Sequence, residues 1–371
     1  MVHRLSRQDA RRIAVRAQIL TGRRSAGIVE AVDALAIVNI DPTAAVAPSA
    51  DHILWSRIGW PYESADLTRA VEEDRAIFEW AGFYRPMADL PLYRPLMRAW
   101  PPWVRHREWL TANDRFRRDV LARLLADGPL RTGEIPDTSQ VSWTSTGWTN
   151  NRNVSQMLDF LAMRGEVAVS ARTGRERGGD VAERVYPSDA DSLTADDAAH
   201  RRAERRLGYL GIARPRAVDQ PVEHLGVGEI GGEATVDDTD GVWRVEATLL
   251  EQSEQSEQSE PFEPRAALLS PFDRLVFDRA RAQDLFGYEY IVEMYKPVAQ
   301  RRWGYFALPI LYGDRLIGKL DAAADRKAGL LRVAAIHEDE PFEPQVADAV
   351  HDEIRALAAW LGLEVTGIPG S

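Results

Sequence analysis

The chain has 371 residues, of which 45% are hydrophobic and 28% charged, with no cysteine and a formal net charge of −11. These numbers fit two to four compact units of an ordinary globular protein and exclude disulfides, iron–sulfur clusters and thiolate zinc sites. No run of about 18 apolar residues occurs, and residues 1–7 lack the apolar core of a signal peptide, so a cytoplasmic protein without a membrane segment is expected.

The acidity is local. Residues 219–264 carry 13 acids against one base, Arg244, and the remainder is nearly neutral, with 45 bases against 44 acids. Residues 1–25 hold seven arginines and one acid, and residues 94–131 hold nine arginines and four acids. Such stretches can form phosphate-binding patches or pair with neighbouring acids.

In chain order, Ser6-x-x-Asp9 reads as a helix N-cap, followed by Ala10, Ile13, Ala14 and Ala17 at helical spacing. Helices are predicted over 28–35, 51–58 and 67–80. Between the first two lies Asn39-Ile40-Asp41-Pro42-Thr43. An amide and a carboxylate two residues apart share one side of an extended chain and can hold and polarise a water, and the proline leaves them at the end of an element. The plain alternative is that they cap a helix or shape an Asx-turn. Residues 115–126 form an amphipathic helix, 132–135 a short helix or turn, 151–164 a further helix, and 166–172 with 181–186 a hairpin, which is the order of a winged helix-turn-helix. Asn151, Arg152, Arg172, Arg175 and Arg177 then stand where phosphate contacts are made. A weaker helical unit begins at 194. The Glu-Gln-Ser repeat of 251–260 has no apolar content and is expected as a solvated loop. Strands are predicted over 290–295, 303–311, 315–322 and 330–336, with a last helix over 342–361.

Two segments carry a resemblance. Residues 39–59 include Leu54-Trp55-Ser56-Arg57, and residues 269–278 read Leu-Ser-Pro-Phe-Asp-Arg-Leu-Val-Phe-Asp. The second is followed in order by Leu285-Phe-Gly-Tyr288, Arg302-Trp303-Gly304-Tyr305 and Asp325-Arg-Lys-Ala-Gly329. In these places the chain resembles the AlkZ-like (YcaQ-like) winged-helix DNA glycosylases, which act on alkylated and crosslinked bases. The resemblance implies an α+β fold of tandem winged-helix domains with a C-terminal small antiparallel β-barrel. Its parts would be 1–104 with the catalytic motif, 105–190, 191–265 with the acidic insertion, and 266–371. It further implies a monomer acting on double-stranded DNA without metal or cofactor, associated with the nucleoid when bound. Asp41 takes the position of the family's catalytic carboxylate, and Asn39 stands where the family has Gln. Ser56 and Arg57 would serve the DNA cleft, with an ion pair to a nearby acid as the alternative for Arg57. Gly82 stands where the family tends to carry His after Trp-Ala. A lesion binder or regulator that keeps the scaffold without the activity is the second reading.

Overall fold

The computed structural model describes residues 2–22, 24, 25, 27–145, 147, 150–173, 176–188, 193–218, 223–254 and 262–368. The chain divides into two compact units, Met1–Tyr62 with Ala203–Ser371, and Glu63–Arg202. The four consecutive parts read from the sequence do not coincide with them, because the N-terminal segment folds with the C-terminal one. Among the described residues no helix is long and apolar enough to cross a membrane.

The discontinuous unit contains two sheets. One has the strand order His3–Leu5, Gly232–Val236, Trp243–Val245, Ile212–Ala213, with the first pair parallel and the others antiparallel. The helix Arg7–Ala17 starts as its sequence predicts, the Ser6 side chain accepting from the Asp9 amide. Its inward residues Ala10, Ile13, Ala14 and Val15 join Ile212, Val236, Trp243 and Val245, and also Leu269, Leu275, Leu285 and Leu311, in one apolar cluster. Removing this surface from water is what binds the two ends of the chain, since no single segment could cover its own apolar face. The Glu-Gln-Ser repeat starts inside the helix Ala247–Glu254, and its residues 255–260 lie outside the described residues.

The second sheet has five strands in the order Ala266–Leu268, Leu308–Tyr312, Arg315–Asp325, Leu330–Glu338, Glu364–Thr366. The last pair is parallel, after a return through the helix Pro344–Trp360, and register shifts at Ile310/Leu311 and Asp321/Ala322 curl the sheet. It is a curled half-barrel, which answers to the small antiparallel sheet or barrel expected except that its last strand pair is parallel. The strand predicted over 290–295 is absent, and the one over 303–311 begins only at Leu308. Of the aromatic residues there, Tyr290, Trp303 and Phe306 are core anchors instead, whereas Tyr295 and Tyr305 are exposed. Tyr290 is buried and its hydroxyl donates to the Ala307 carbonyl at 2.6 Å.

In the unit Glu63–Arg202, the helix predicted over 67–80 is two elements: a helix Ser64–Glu72 and a strand Ile77–Trp80. The strand pairs with Phe83–Pro86 across the two-residue turn Ala81-Gly82, both at positive φ (53° and 82°). That is the backbone twist a tight hairpin needs, and aromatic and β-branched residues favour the strand. Helices Leu90–Ala99, Val104–Ala112 and Asp114–Asp127 follow. The helix Asn153–Met163 then packs by Met157, Phe160 and Leu161 against Phe116, Val120 and Leu124. A three-stranded sheet runs Leu130–Arg131, Glu176–Val181, Val167–Thr173. The hairpin's return strand thus lies earlier than predicted, and Ala182–Val185 is a short helix.

Gly211, just after the helix Ala195–Leu210, has φ 70°, and a Cβ there would lie 2.7 Å from the Ile13 carbonyl oxygen. Gly211→Ala should therefore lower the unfolding free energy by about 2 kcal/mol or more, through left-handed backbone strain and overpacking against the first helix. Urea unfolding checks this, and an unchanged midpoint would contradict the packing described.

Candidate active site

Asn39 ends the short strand Val38–Asn39, and the helix Ser49–Ile58 begins ten residues later. The intervening loop is closed by the Ser49 amide donating to the Asp41 carbonyl at 3.2 Å. The Asp41 side chain shapes its own turn, with Oδ1 accepting from the Thr43 amide at 2.8 Å across Pro42. This is the Asx-turn foreseen as the plain alternative, and it uses one carboxylate oxygen only. Among the described residues Oδ2 makes no hydrogen bond, and no basic side chain pairs with Asp41.

Asn39 is held from the other side. Its Oδ1 accepts from Ser49 Oγ at 3.2 Å, and Ser49 Oγ lies 3.4 Å from Ser270 Oγ. Ser270 Oγ accepts in turn from the Phe272 amide at 3.3 Å. A hydroxyl donates one proton, so Ser49, which gives its own to Asn39, takes the Ser270 proton on a lone pair. Both serines are buried. This relay fixes the carbonyl end of the Asn39 amide inward, and its Nδ2 makes no hydrogen bond among the described residues. The unbonded donor of Asn39 and the unbonded acceptor of Asp41 belong to one loop.

Behind the loop lies a buried ion pair. Arg57 and Asp273 are both fully buried and joined by two hydrogen bonds, Nη1 to Oδ2 and Nη2 to Oδ1, the latter at 3.0 Å. Arg57 also donates from Nε to the Gln18 carbonyl and from Nη2 to Gln18 Oε1, each at 3.1 Å, and from Nη1 to Ser56 Oγ at 2.8 Å. Ser56 Oγ donates to the Ile53 carbonyl at 2.7 Å. Arg57 and Ser56 therefore do not reach a DNA phosphate. Arg57 pairs with an acid as its alternative reading proposed, but with one 216 residues away. One turn earlier His52 is buried against the Leu268 backbone, and its Nε2 has no partner.

The other sequence candidates belong to the unit Glu63–Arg202. Arg172 forks onto the buried Glu79 carboxylate at 2.6–2.9 Å, and Arg177 Nε reaches the same group at 2.8 Å. Both are thereby tied to structure through a residue the sequence reading gave no role. Asn151 and Arg152 are exposed just before the helix Asn153–Met163. Arg175 lies outside the described residues. Among the described residues no cluster of three or more His, Asp or Glu could hold a metal ion.

A family model described as "DNA glycosylase AlkZ-like" matches residues 32–360. Among solved structures the chain is similar to the Streptomyces sahachiroi DNA glycosylase AlkZ, with 18% identity and a TM-score of 0.62 over 98% of this chain and 100% of that one.

Burial lowers the His52 pKa to about 4, outweighing the nearby Asp273 carboxylate that raises it. The unfolded chain, with an ordinary histidine near 6.5, then binds a proton that the folded state refuses. The stability conferred by neutral His52 is complete above about pH 6.5 and is lost as the pH falls toward 4, by on the order of 3 kcal/mol. Urea unfolding of the wild type and His52→Gln between pH 7 and 4 should diverge by that amount. Parallel profiles would show that His52 is not the group responsible.

Proposed function

Because the chain belongs to the AlkZ-like DNA glycosylase family, we propose that it hydrolyses the N-glycosidic bond of alkylated or crosslinked purines in double-stranded DNA. It acts in this reading as a monomer without metal or cofactor, in the cytoplasm and at the nucleoid. The observation that carries the reading is the pair of unbonded groups on one loop, Asp41 Oδ2 and Asn39 Nδ2.

An N7- or N3-alkylated purine leaves readily because it already bears positive charge. What remains is to stabilise the positive charge developing on the sugar and to deliver a water. Asp41 suits both tasks. Its carboxylate opposes the sugar charge and takes the proton of the water whose oxygen bonds to C1′, while the electrons of the broken C1′–N bond go to the base. Asn39 Nδ2 donates to that water's oxygen and so directs its proton toward Asp41. Asn is one methylene shorter than Gln, about 1.5 Å. The serine relay supports the reading by fixing the short amide from behind.

The helices Val104–Ala112 and Asp114–Asp127, the strand Leu130–Arg131, the turn Thr132–Glu134, the helix Asn153–Met163 and the hairpin Val167–Val181 follow in the order of a winged helix. In this reading Asn153–Met163 is the recognition-type helix, and Asn151 and Arg152 at its start contact phosphate. A non-catalytic lesion binder is the second reading, favoured by the Asx-turn that occupies Asp41 Oδ1.

The test is release of N7-alkylguanine from duplex DNA. Asp41→Asn should lower the rate by about 100-fold or more, and Asn39→Gln should leave it unchanged or raise it. Ser49→Ala should slow the reaction by about tenfold, because a misplaced catalytic group loses rate steeply. No release by the wild type or by Asn39→Gln would leave the binding reading.

A further inference from the structure

Residues 293–303 form a loop pinched at its neck. The buried Glu293 accepts through Oε2 from the amides of Arg302 and Trp303, both at 2.8 Å, and through Oε1 from Lys296 Nζ at 2.8 Å. Inside the loop Lys296 N donates to the Glu293 carbonyl, Gln300 N to Pro297 and Arg301 N to Val298, and Arg301 Nε reaches the Lys296 carbonyl at 3.0 Å. Closed ends and internal bonds make this a compact Ω-type loop, ordered before any partner arrives.

Its tip is apolar and cationic together. Tyr295 is 88% exposed and Val298 76%, with Ile291 at 51% and Tyr305 at 43% on the flanks. Residues 294–302 contain Lys296, Arg301 and Arg302 and no acid, in a chain of net charge −11. The Arg301 guanidinium lies over the Tyr305 ring at 5.1 Å, so cation and aromatic face are one surface. Arg302 pairs with Glu289 at 3.2 Å, but both side chains are about two-thirds exposed, and such a pair yields readily to a competing anion. A rigid loop that keeps large apolar side chains in water beside Arg301 and an exposed, readily exchanged Arg302–Glu289 pair is built for a partner that is anionic and has flat apolar faces.

The loop is attached to the same strand as the candidate site. At its neck Gly304, at φ 113°, packs so closely on Asp321 that a Cβ would lie 2.2 Å from the carboxylate carbon. Three residues along that strand the Ala324 amide donates to the Ala45 carbonyl at 2.8 Å, and Arg326 Nη2 to the Val46 carbonyl at 3.0 Å. Ala45 and Val46 belong to the loop that carries Asp41. Three residues of strand span roughly 10 Å, the distance of a few bases along a DNA chain.

We propose that the 293–303 loop is a DNA contact in which Tyr295 stacks on a base exposed by local unstacking, Val298 wedges beside it, and Arg301 and Arg302 hold the adjacent phosphates. This rests on the family-level reading that DNA is the substrate. The experiment is fluorescence anisotropy with a labelled duplex carrying one N7-methylguanine, the same duplex unmodified, and the corresponding single strand. Tyr295→Ala should weaken binding about tenfold, most on the single strand, and Tyr295→Trp should restore it. Arg301→Gln with Arg302→Gln should weaken all three probes alike and reduce the slope of log K against log salt by about 2. Tyr295 is 88% exposed, so Tyr295→Ala should leave thermal unfolding unchanged. DNA binding by the wild type with no loss in Tyr295→Ala would overturn the loop contact and leave the glycosylase reading intact, as would be found if the loop docks a protein instead. Absence of DNA binding by the wild type would overturn both.

Discussion

The ion pair of Arg57 with Asp273 joins three segments that are far apart in sequence. Two ions taken wholly out of water are stable only if every donor and acceptor finds a partner in good geometry. Gln18 supplies a carbonyl and an amide oxygen, Ser56 a hydroxyl, and Asp273 a forked carboxylate that also accepts from the Leu275 amide at 3.0 Å. That full satisfaction fixes the end of the first helix, the helix that follows the Asn39–Thr43 loop, and the 269–278 segment relative to one another. Loss of either ion would leave the other charge buried alone, a defect of about 3–5 kcal/mol. The position of Ser270 beside Ser49, and so the aim of the Asn39 amide, depends on this pair, because Ser270 is three residues from Asp273 and Ser49 eight from Arg57.

Arginine serves as internal framework throughout this chain. Arg281 is buried and donates to the carbonyls of Leu210 and Ile212 at 2.6 and 2.8 Å. Arg206 pairs with the buried Glu223 at 2.8 Å. In the arginine-rich N-terminus, Arg7 donates to the carbonyls of Asp284 and Leu285, Arg11 pairs with Asp314, and Arg12 and Arg16 lie over the Phe262 ring. Arg117 in the second basic stretch reaches Glu166. A guanidinium satisfies several carbonyls at once with a rigid fork, which suits it to tying loops together. The basic stretches of the sequence are therefore a poor map of phosphate contacts. The exposed cations beside aromatic and aliphatic side chains at the 294–302 tip are more telling, although no composition window singles them out.

Local features were legible in the sequence wherever they depend on neighbours along the chain. The Ser6 cap and the helix Ile28–Leu35 follow from spacing and residue type. Asn39 and Asp41 stood out because their chemistry and spacing are local. What escaped is long-range. Ile77–Trp80 has helical spacing with its predecessors, yet a hairpin partner and full burial decide for a strand. Arg57 sits among residues that suit a cleft, and only the fold brings Asp273 to it. Ser270 was visible as part of a long motif, but the partner that explains it, Ser49, lies 221 residues earlier. The pairing of Arg172 and Arg177 with Glu79 is of the same kind.

The shortness of Asn39 follows a physical logic once the serines are included. A Gln amide can reach the reaction site on its own flexible stem but must be ordered there, with the loss of an additional rotatable bond. An Asn amide anchored by Ser49 Oγ, itself backed by Ser270, has less reach and less freedom. Preorganised donors act on developing charge without reorganising at the moment of reaction. Reach and order thus trade against each other at this position. On the proposed glycosylase reading, the substrate would have to come about one methylene deeper toward the loop, and a lesion that already distorts the duplex would do so with least resistance. On the proposed glycosylase reading, an Asn39 held in this way would favour bulky or crosslinked adducts, whose distortion would bring the sugar within range of a short, fixed amide.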